Sequence, residues 1–445
     1  MSKKRVFAEW LKVAEVLLIL YGLTTGVYYY LAEHNKNILT VSYYVLVTLF
    51  VYQSAFILVQ VVTAMIYSRP KKLTDHKPVQ APRTTFIICA YLPNEIKFVR
   101  TTLLHILEDV RRPTGGIEVM LAYNTPFMEE VELSLKQLAY DWPELILANA
   151  YGSRSKSENL NYAINMASGE MLVLLDADHL IAPDCLDRAW GWIDKGYDIV
   201  QGHCTIRNAR ASIVSAMVSV EFEAIYGVSH FARGLVFDAA LFGGSNGFWK
   251  TSVAKDVGFH TDMLTEDIDA TLRATLKGYK IVHDKDIIST EVAPETLAAL
   301  WFQRKRWAQG WLQCSLRYQL PVLTSKLLKL RQRFCWTMLL MWRVSYDVFS
   351  HLLLPIVLAY WLYRGRVEFP MTPYIWFALI FTMMTGPLET VAAYINSTEP
   401  KKPKSWFVLY AITSFWYTMF KNFIQVVAIR DEIAGERSWI VSKRE

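Results

Sequence analysis

Two kinds of hydrophobic pattern divide the chain. Val13–Ala32 and Val41–Tyr67 are nearly continuous apolar stretches joined by the short connector EHNKN. Each reaches the roughly 20 residues a helix needs to cross the hydrocarbon core of a bilayer. They predict a transmembrane hairpin whose basic flanks, MSKKR and SRPKKLTDHKP, belong on the cytoplasmic side by the bias of positive charge toward that side. From about Pro82 to Leu320 the runs shorten. TTFIICAY, IEVMLAY, LILANAY, EMLVLLDAD and YDIVQGHC have the length of buried parallel strands, and EEVELSLKQLAYDW and ENLNYAINMAS repeat their apolar positions at helical spacing between them. This alternation predicts an α/β domain around a mostly parallel sheet, inserted between membrane segments. Ligands of such sheets sit beyond the carboxyl ends of the strands, where YLPNE, YNTP and DADH fall.

After Leu320 long apolar stretches return at Trp336–Tyr363, Pro373–Ile395 and Trp406–Ile429. The expected division is therefore a hairpin over 1–70, the α/β domain over 71–320, interfacial and transmembrane helices over 321–430 and a basic tail over 431–445. The last apolar stretch carries Lys421, Asn422 and Gln425, so it reads either as a crossing or as an interfacial helix that lines a polar cavity. Three crossings would leave the tail on the opposite side from the α/β domain. Ser325–Arg333, SKLLKLRQR, reads as a basic amphipathic helix on the membrane surface or as a solvated linker helix.

Composition sharpens this picture. Hydrophobic residues make up 53% and aromatics 14%, which is high for a soluble protein, while 20% charged residues require a substantial polar portion. The net charge of +6 clusters beside the apolar stretches, a pattern of attraction to membrane surfaces and sugar phosphates, and no nucleic-acid module is visible. Five cysteines without paired spacing read as buried free thiols in a reducing compartment, with neither a zinc site nor a disulfide framework. The N-terminus has the charge order of a signal peptide, but its apolar stretch is too long and lacks a small-residue cleavage site, so it reads as a retained anchor.

Three polar clusters carry candidate chemistry. Asp176 and Asp178 end a buried strand at alternate positions, from which two carboxylates can approach one divalent ion; a solvated turn is the ordinary alternative. Glu266 and Asp267 open an amphipathic helix after Thr265, where acids also suit the helix dipole; chemically, one of them could serve as a general base. Gln303, Arg306 and Trp307 share a helical face, where Arg can grip phosphate oxygens and Trp offers a flat face to a sugar; anchoring at the lipid interface would use the same residues.

In that order, inside an α/β domain flanked by apolar helices, Asp-x-Asp, Glu-Asp and Gln-x-x-Arg-Trp resemble the membrane-integrated, family-two inverting glycosyltransferases. These are the synthases of cellulose, chitin, hyaluronan and poly-N-acetylglucosamine, and the resemblance covers roughly Pro82–Leu320. It implies a GT-A-like nucleotide-sugar-binding domain. It also implies that Asp176 and Asp178 hold the diphosphate and a Mg²⁺ or Mn²⁺ ion, that Asp267 is the catalytic base beside Glu266, and that Gln303 and Arg306 contact the donor pyrophosphate and Trp307 the acceptor. Lys156, Asn159 and Asn161 look like a nucleotide-side K-x-x-N-L-N element. Gly243–Gly247, with Gly244, Ser245 and Asn246 at its centre, looks like the small-residue loop beneath the acceptor. Arg437, Trp439, Lys443 and Arg444 are similar to the family's C-terminal gating segment.

The sequence also departs from the family. Ala122-Tyr123-Asn124-Thr125-Pro126 replaces an Asp-Asp-Gly-Ser element, leaving Asn124 and Tyr123 as candidate base contacts, and Tyr91 and Glu95 as candidate donor contacts. His179 reads either as a further metal ligand or as a neighbour's hydrogen-bond partner, His203 reads as structural, and Arg343 and Asp347 are spaced to pair on one helix. The expected function is transfer of a sugar, glucose or N-acetylglucosamine, from a UDP donor to a growing β-linked polysaccharide, with coupled translocation across the membrane. A glycolipid acceptor is the alternative within the class; a non-enzymatic transporter or receptor with an α/β regulatory domain is the rival outside it. The linkage and the oligomeric state are not legible.

Overall fold

The computed structural model describes residues 3–35, 37–67, 80–124, 129–367 and 371–436. The chain opens with α1 (Lys3–Leu17), a π-helical segment (Leu18–Leu23) and α2 (Thr24–His34), followed by α3 (Ile38–Ile66). The α/β domain then runs β1 (Thr84–Tyr91), α4 (Leu92–Glu108), β2 (Ile117–Asn124), α5 (Glu129–Asp141), β3 (Leu145–Asn149), α6 (Lys156–Met166), β4 (Met171–Asp176), β5 (Leu180–Ile181), α7 (Cys185–Asp194), β6 (Ile199–Ile206), α8 (Ile213–Ala224), β7 (Gly247–Lys250), α9 (Thr251–Val257), α10 (Glu266–Leu276), β8 (Ile281–Glu291) and α11 (Leu297–Thr324). Beyond it lie α12 (Leu330–Thr337), α13 (Arg343–Phe349), α14 (Leu353–Arg364), α15 (Pro373–Asn396) and α16 (Lys404–Ile433).

The eight strands form one sheet in the order β3-β2-β1-β4-β7-β6-β8-β5. Strands β1 to β4 are parallel, and β6 pairs β8 in parallel, while β7 runs against both β4 and β6 and β5 runs against β8. Register decides which residues meet at the edge. Tyr91 pairs with Asn124, and Cys89 with Asp176, so the ends of β1, β2 and β4 open onto one margin. Because β7 is reversed, the loop before it, Gly243–Asn246, reaches that same margin.

The strands are buried because both faces of the sheet are covered. Phe86, Ile88 and Ala90 of β1 pack with Val99, Leu103 and Ile106 of α4 on one face. Ile87 and Cys89, pointing the other way by the period of two, pack with Leu160 and Ala163 of α6 and Ala270 of α10. All five cysteines are free and buried.

Among the described residues three helices are long and apolar enough to cross a membrane: Ile38–Ile66, Leu330–Arg364 and Pro373–Asn396. The Val13–Ala32 stretch is helical, with a π-helical turn inside it, but is not among them. Nor is α16, which contains Lys421, Arg430, Asp431 and Glu432. Both ends of α16 are instead fastened to the α/β domain. Lys402, just before it, donates to Thr205 of β6 (2.6 Å) and contacts Glu223 of α8, and Asp431 near its end pairs with Lys305 of α11 (2.9 Å). Along its length α16 also packs against α15 and α13.

The stretch Ser325–Arg333 is not a continuous helix, as the sequence pattern had suggested. Helix α12 starts only at Leu330, with Lys329 extended before it, because Lys329 and Arg331 turn toward Asp238 (3.2 and 3.3 Å).

Candidate active site

Lys156 joins the separate segments of the cleft. It sits in the first turn of α6, whose start is capped by Ser155, and its ammonium lies 2.6 Å from Asp176 Oδ1 and 3.3 Å from Glu266 Oε1 while donating to the Gly244 carbonyl (2.9 Å). Burial alone would lower its pKa, but Asp176 and Glu266 outweigh that and raise it, so it stays a cation. One side chain thus bridges the end of β4, the start of α10 and the loop before β7.

Asp267 lies against that loop. Gly244 has φ +89°, and a Cβ added to it would stand 3.0 Å from Asp267 Oδ2, so only glycine admits this approach of carboxylate to backbone. Burial, and then the Glu266 carboxylate, raise the Asp267 pKa to about 7, with Lys156 acting the other way. A carboxyl held near neutrality beside an open cleft is suited to accept a proton. The start of α10 is located by a second close approach: a Cβ on Gly310 of α11 would collide with Thr265 Oγ1 at 2.5 Å. Thr265 occupies the N-cap position, but its hydroxyl faces Cys314 Sγ (3.7 Å) and makes no side-chain cap bond.

The other residues singled out from sequence divide between the cleft and its frame. Asp176 is partly open to solvent; Asp178 is 1% exposed, its Oδ2 accepting from the Val292 N–H (3.1 Å). Ser245 Oγ accepts from the Asp176 N–H (3.0 Å), tying the glycine loop to β4. Asn246, fully buried with φ +53°, donates to the carbonyls of Ile287 and His203 (3.0 and 3.3 Å) and so supports the loop from behind. Glu95 lies in the first turn of α4, so YLPNE runs into a helix start; its carboxylate accepts from the Tyr91 N–H (2.8 Å). Asn124 donates to Ser153 O, and Asn159 accepts from Ser153 Oγ, which fixes the rim between β2 and α6. Asn161 brackets Phe259, donating to its carbonyl (2.7 Å) and accepting from its N–H (2.9 Å).

His179 is occupied by its neighbours. Its Nε2 lies 3.0 Å from Glu291 and its Nδ1 3.0 Å from Ser289 Oγ; burial lowers its pKa, but Glu291 outweighs this and raises it. His203 is wholly buried, 3.2 Å from Glu223. Arg343 spreads its guanidinium 4.8 Å over the Trp311 ring.

On α11, Arg306 reaches toward the Leu264 carbonyl (3.5 Å), and Gln303 Oε1 is buried with no hydrogen-bond partner among the described residues. Trp307 is half-buried, and the guanidinium of Arg304 lies 4.1 Å from its ring centroid. Beside Arg306, between α1, α11 and the end of α16, is a cavity of about 170 Å³ with Glu436 on its rim. The gating candidates Arg437, Trp439, Lys443 and Arg444 follow Glu436 but lie outside the described residues.

Sequence reasoning missed Arg207 and Arg304. Arg207, at the end of β6, donates to the Asp178 and Thr290 carbonyls, the latter at 3.0 Å. Neither stands in a recognisable spacing, and only the sheet order brings β6 and β8 beside the acidic edge.

The chain matches Glycosyl transferase family group 2 over residues 171–420 and Glycosyl transferase family 2 over residues 85–214. It is 30% identical over 333 residues to the poly-beta-1,6-N-acetyl-D-glucosamine synthase of Staphylococcus epidermidis, covering 74% of this chain and 78% of that protein. The synthase of the same description from Staphylococcus aureus (strain COL) is 29% identical over 237 residues, 52% of this chain and 55% of that one. Among solved structures, the mannosyltransferase PcManGT from Pyrobaculum calidifontis, in complex with GDP-Man and Mn²⁺, superposes with a TM-score of 0.57 at 20% identity, covering 88% of this chain and all of that one. At that identity the likeness is one of fold.

Proposed function

The chain belongs to the family 2 glycosyltransferases, and from that premise we propose that it moves a sugar from a UDP-sugar donor to a growing β-linked polysaccharide at the membrane. The observation that carries this reading is the convergence on Lys156: Asp176, Glu266 and the Gly244 carbonyl meet at one ammonium, with Asp267 against the same glycine. UDP-N-acetylglucosamine is the favoured donor, because the staphylococcal relatives are poly-N-acetylglucosamine synthases.

Asp267 removes the proton of the acceptor hydroxyl as that oxygen attacks the anomeric carbon from the face opposite the diphosphate. The bond to the diphosphate breaks, the electron pair leaves with it, and an α-linked donor gives a β-linked product. Lys156 and Arg306 offer positive charge to the departing diphosphate, and the Gln303 side-chain amide, one turn before Arg306 on α11, can donate to it. Trp307 is the platform for the acceptor sugar.

Asp176, partly open at the end of β4 and 2.6 Å from one cationic group, presents the kind of carboxylate a hard divalent cation takes, and Asp178, buried two positions on, gives one oxygen to the Val292 N–H. Asp176 and Asp178 would hold Mg²⁺ or Mn²⁺, which when bound supplies charge neutralisation for the leaving group.

We take domain 71–320 to face the cytoplasm and α16 to lie along it, a reading that the ion pairs near both ends of that helix support. The second reading is transfer to a membrane glycolipid, which the two helices long and apolar enough to cross that follow the domain among the described residues would also serve. A panel of nucleotide sugars, scored for metal-dependent release of nucleoside diphosphate, tests the donor. Sizing of the labelled product tests the acceptor: a ladder means polymer, a single organic-soluble species means glycolipid. An Asp267→Asn variant that folds and still turns over would refute the catalytic assignment.

A further inference from the structure

The ring of Trp307 is approached from behind by a charge that does not belong to the donor site. Arg304, one turn earlier on α11 and 6% exposed, lays its guanidinium 4.1 Å from the centroid of the indole. With that face capped, a sugar can stack only on the other, so the position of Arg304 fixes the plane on which an acceptor would rest. Two of the three guanidinium nitrogens, Nε and Nη1, are buried without hydrogen-bond partners among the described residues. The third, Nη2, donates to Glu221 Oε2 at 2.6 Å.

Glu221 lies on α8, outside every motif noted above, and is 4% exposed. Its carboxylate collects donors from two other helices. Beside Arg304 of α11, Tyr417 Oη donates to Oε2 (2.8 Å) and Lys421 Nζ to Oε1 (2.8 Å), both from α16. Burial pushes its pKa up, yet the Arg304 and Lys421 charges bring it down to about 2, so the node is a carboxylate at any working pH.

We infer that Glu221 is a positioning residue for acceptor transfer, which sets the Trp307 platform by holding Arg304 against its back face and couples that platform to α16. The inference rests on the reading of Trp307 as the acceptor contact. Glu221 itself touches neither the acidic edge nor the glycine loop, so the role is confined to where the acceptor lies. Loss of the node leaves donor binding in place and tilts the indole, and the activated sugar then goes more often to water.

The test uses the full chain in lipid nanodiscs, with the donor identified by the nucleotide-sugar panel and short β-linked oligomers of that sugar as acceptors. Glu221→Gln and Arg304→Lys are compared with the parent for donor KM, acceptor KM and the ratio of transfer to donor hydrolysis. Arg304→Lys keeps a cation for Glu221 but removes the flat stack. It decides the matter if Glu221→Gln fails to fold. The expected result is a rise in acceptor KM and a fall in the transfer-to-hydrolysis ratio, each about tenfold, with donor KM within about twofold. Donor and acceptor KM rising together, or an unchanged ratio in a folded Arg304→Lys, overturns the positioning role. Trp307→Ala is measured in parallel. If it leaves the ratio unchanged, the acceptor assignment itself has failed; if it alone shifts the ratio, only the role of Glu221 has.

Discussion

Glu266→Gln and Lys156→Met should move the acidic limb of the pH–rate profile in opposite directions. Asp267 must be deprotonated to accept a proton, so kcat/KM rises as pH passes through its pKa, which at about 7 puts the limb near neutrality. After burial, Glu266 is the next cause that raises this value, and Lys156 is the first that lowers it. Two unit charges about 5 Å apart at an effective dielectric of about 20 interact by roughly 3 kcal/mol, or about two pH units. Glu266, Asp267 and Lys156 are each partly open to solvent, and screening reduces the expected shift to about one unit. The glutamine variant should therefore carry the limb about one unit toward acid and the methionine variant about one unit toward alkali, the latter with a lower plateau because a donor contact is gone. The assay is kcat/KM for nucleoside diphosphate release from about pH 5 to about pH 9 at saturating divalent metal. A limb that stays put in both variants, or moves the same way in both, would show that Asp267 is not the group being titrated.

Gly244→Ala, which forces a Cβ to 3.0 Å from Asp267 Oδ2 at φ +89°, is expected to cost about 1 kcal/mol in a thermal melt and at least about tenfold in turnover. Glu118→Ala leaves the donors on Thr85 (2.7 Å) and Ser168 (2.8 and 3.1 Å) unsatisfied far from the cleft; stability should fall by about 1–3 kcal/mol while kcat in the folded fraction holds. Chelation of divalent metal should stop nucleoside diphosphate release and re-addition should restore it; turnover in full chelator would remove the role given to Asp176 and Asp178. Because the native cysteines are buried, Lys401→Cys and the highly exposed Tyr151→Cys can be labelled from either face of a sealed vesicle. Both those sites precede α16, so the deciding label is on Ala434→Cys, exposed just past its end; it should react from the same face as Tyr151→Cys, and opposite reactivity would refute an interfacial α16.

The strands with the clearest apolar runs were legible because their environment is uniform. TTFIICAY coincides with β1, IEVMLAY stops one residue short of the end of β2, and LILANAY and EMLVLLDAD overrun the ends of β3 and β4 by two residues each. Strand β8 was not legible, and the reason is physical: its VHDKDIISTE stretch carries charges whose partners come from remote segments. Asp284 is paired by Arg188 (2.7 Å), Lys285 donates to Asn396 (2.8 Å), and His283 meets the Tyr226 carbonyl (3.0 Å). A run that looks solvent-facing is buried once those partners arrive. The same holds at the site. Asp176, Glu266, Asp267 and Lys156 stood out by type and order, but that one ammonium joins three of the segments follows only from the sheet. Glu221 gave no signal, since one of two acids in an apolar helix becomes informative only when Arg304, Tyr417 and Lys421 surround it.

The reversed strand β7 has a mechanical corollary. It is stitched on both sides, to β4 from Met171–Lys250 to Leu174–Gly247 and to β6 from Ile199–Trp249 to Gln201–Gly247, with Phe248 and Trp249 wholly buried. The glycine loop thus hangs from the interior of the sheet and not from an edge. Amide exchange should reach the edge strand Leu145–Asn149 well before Gly247–Lys250.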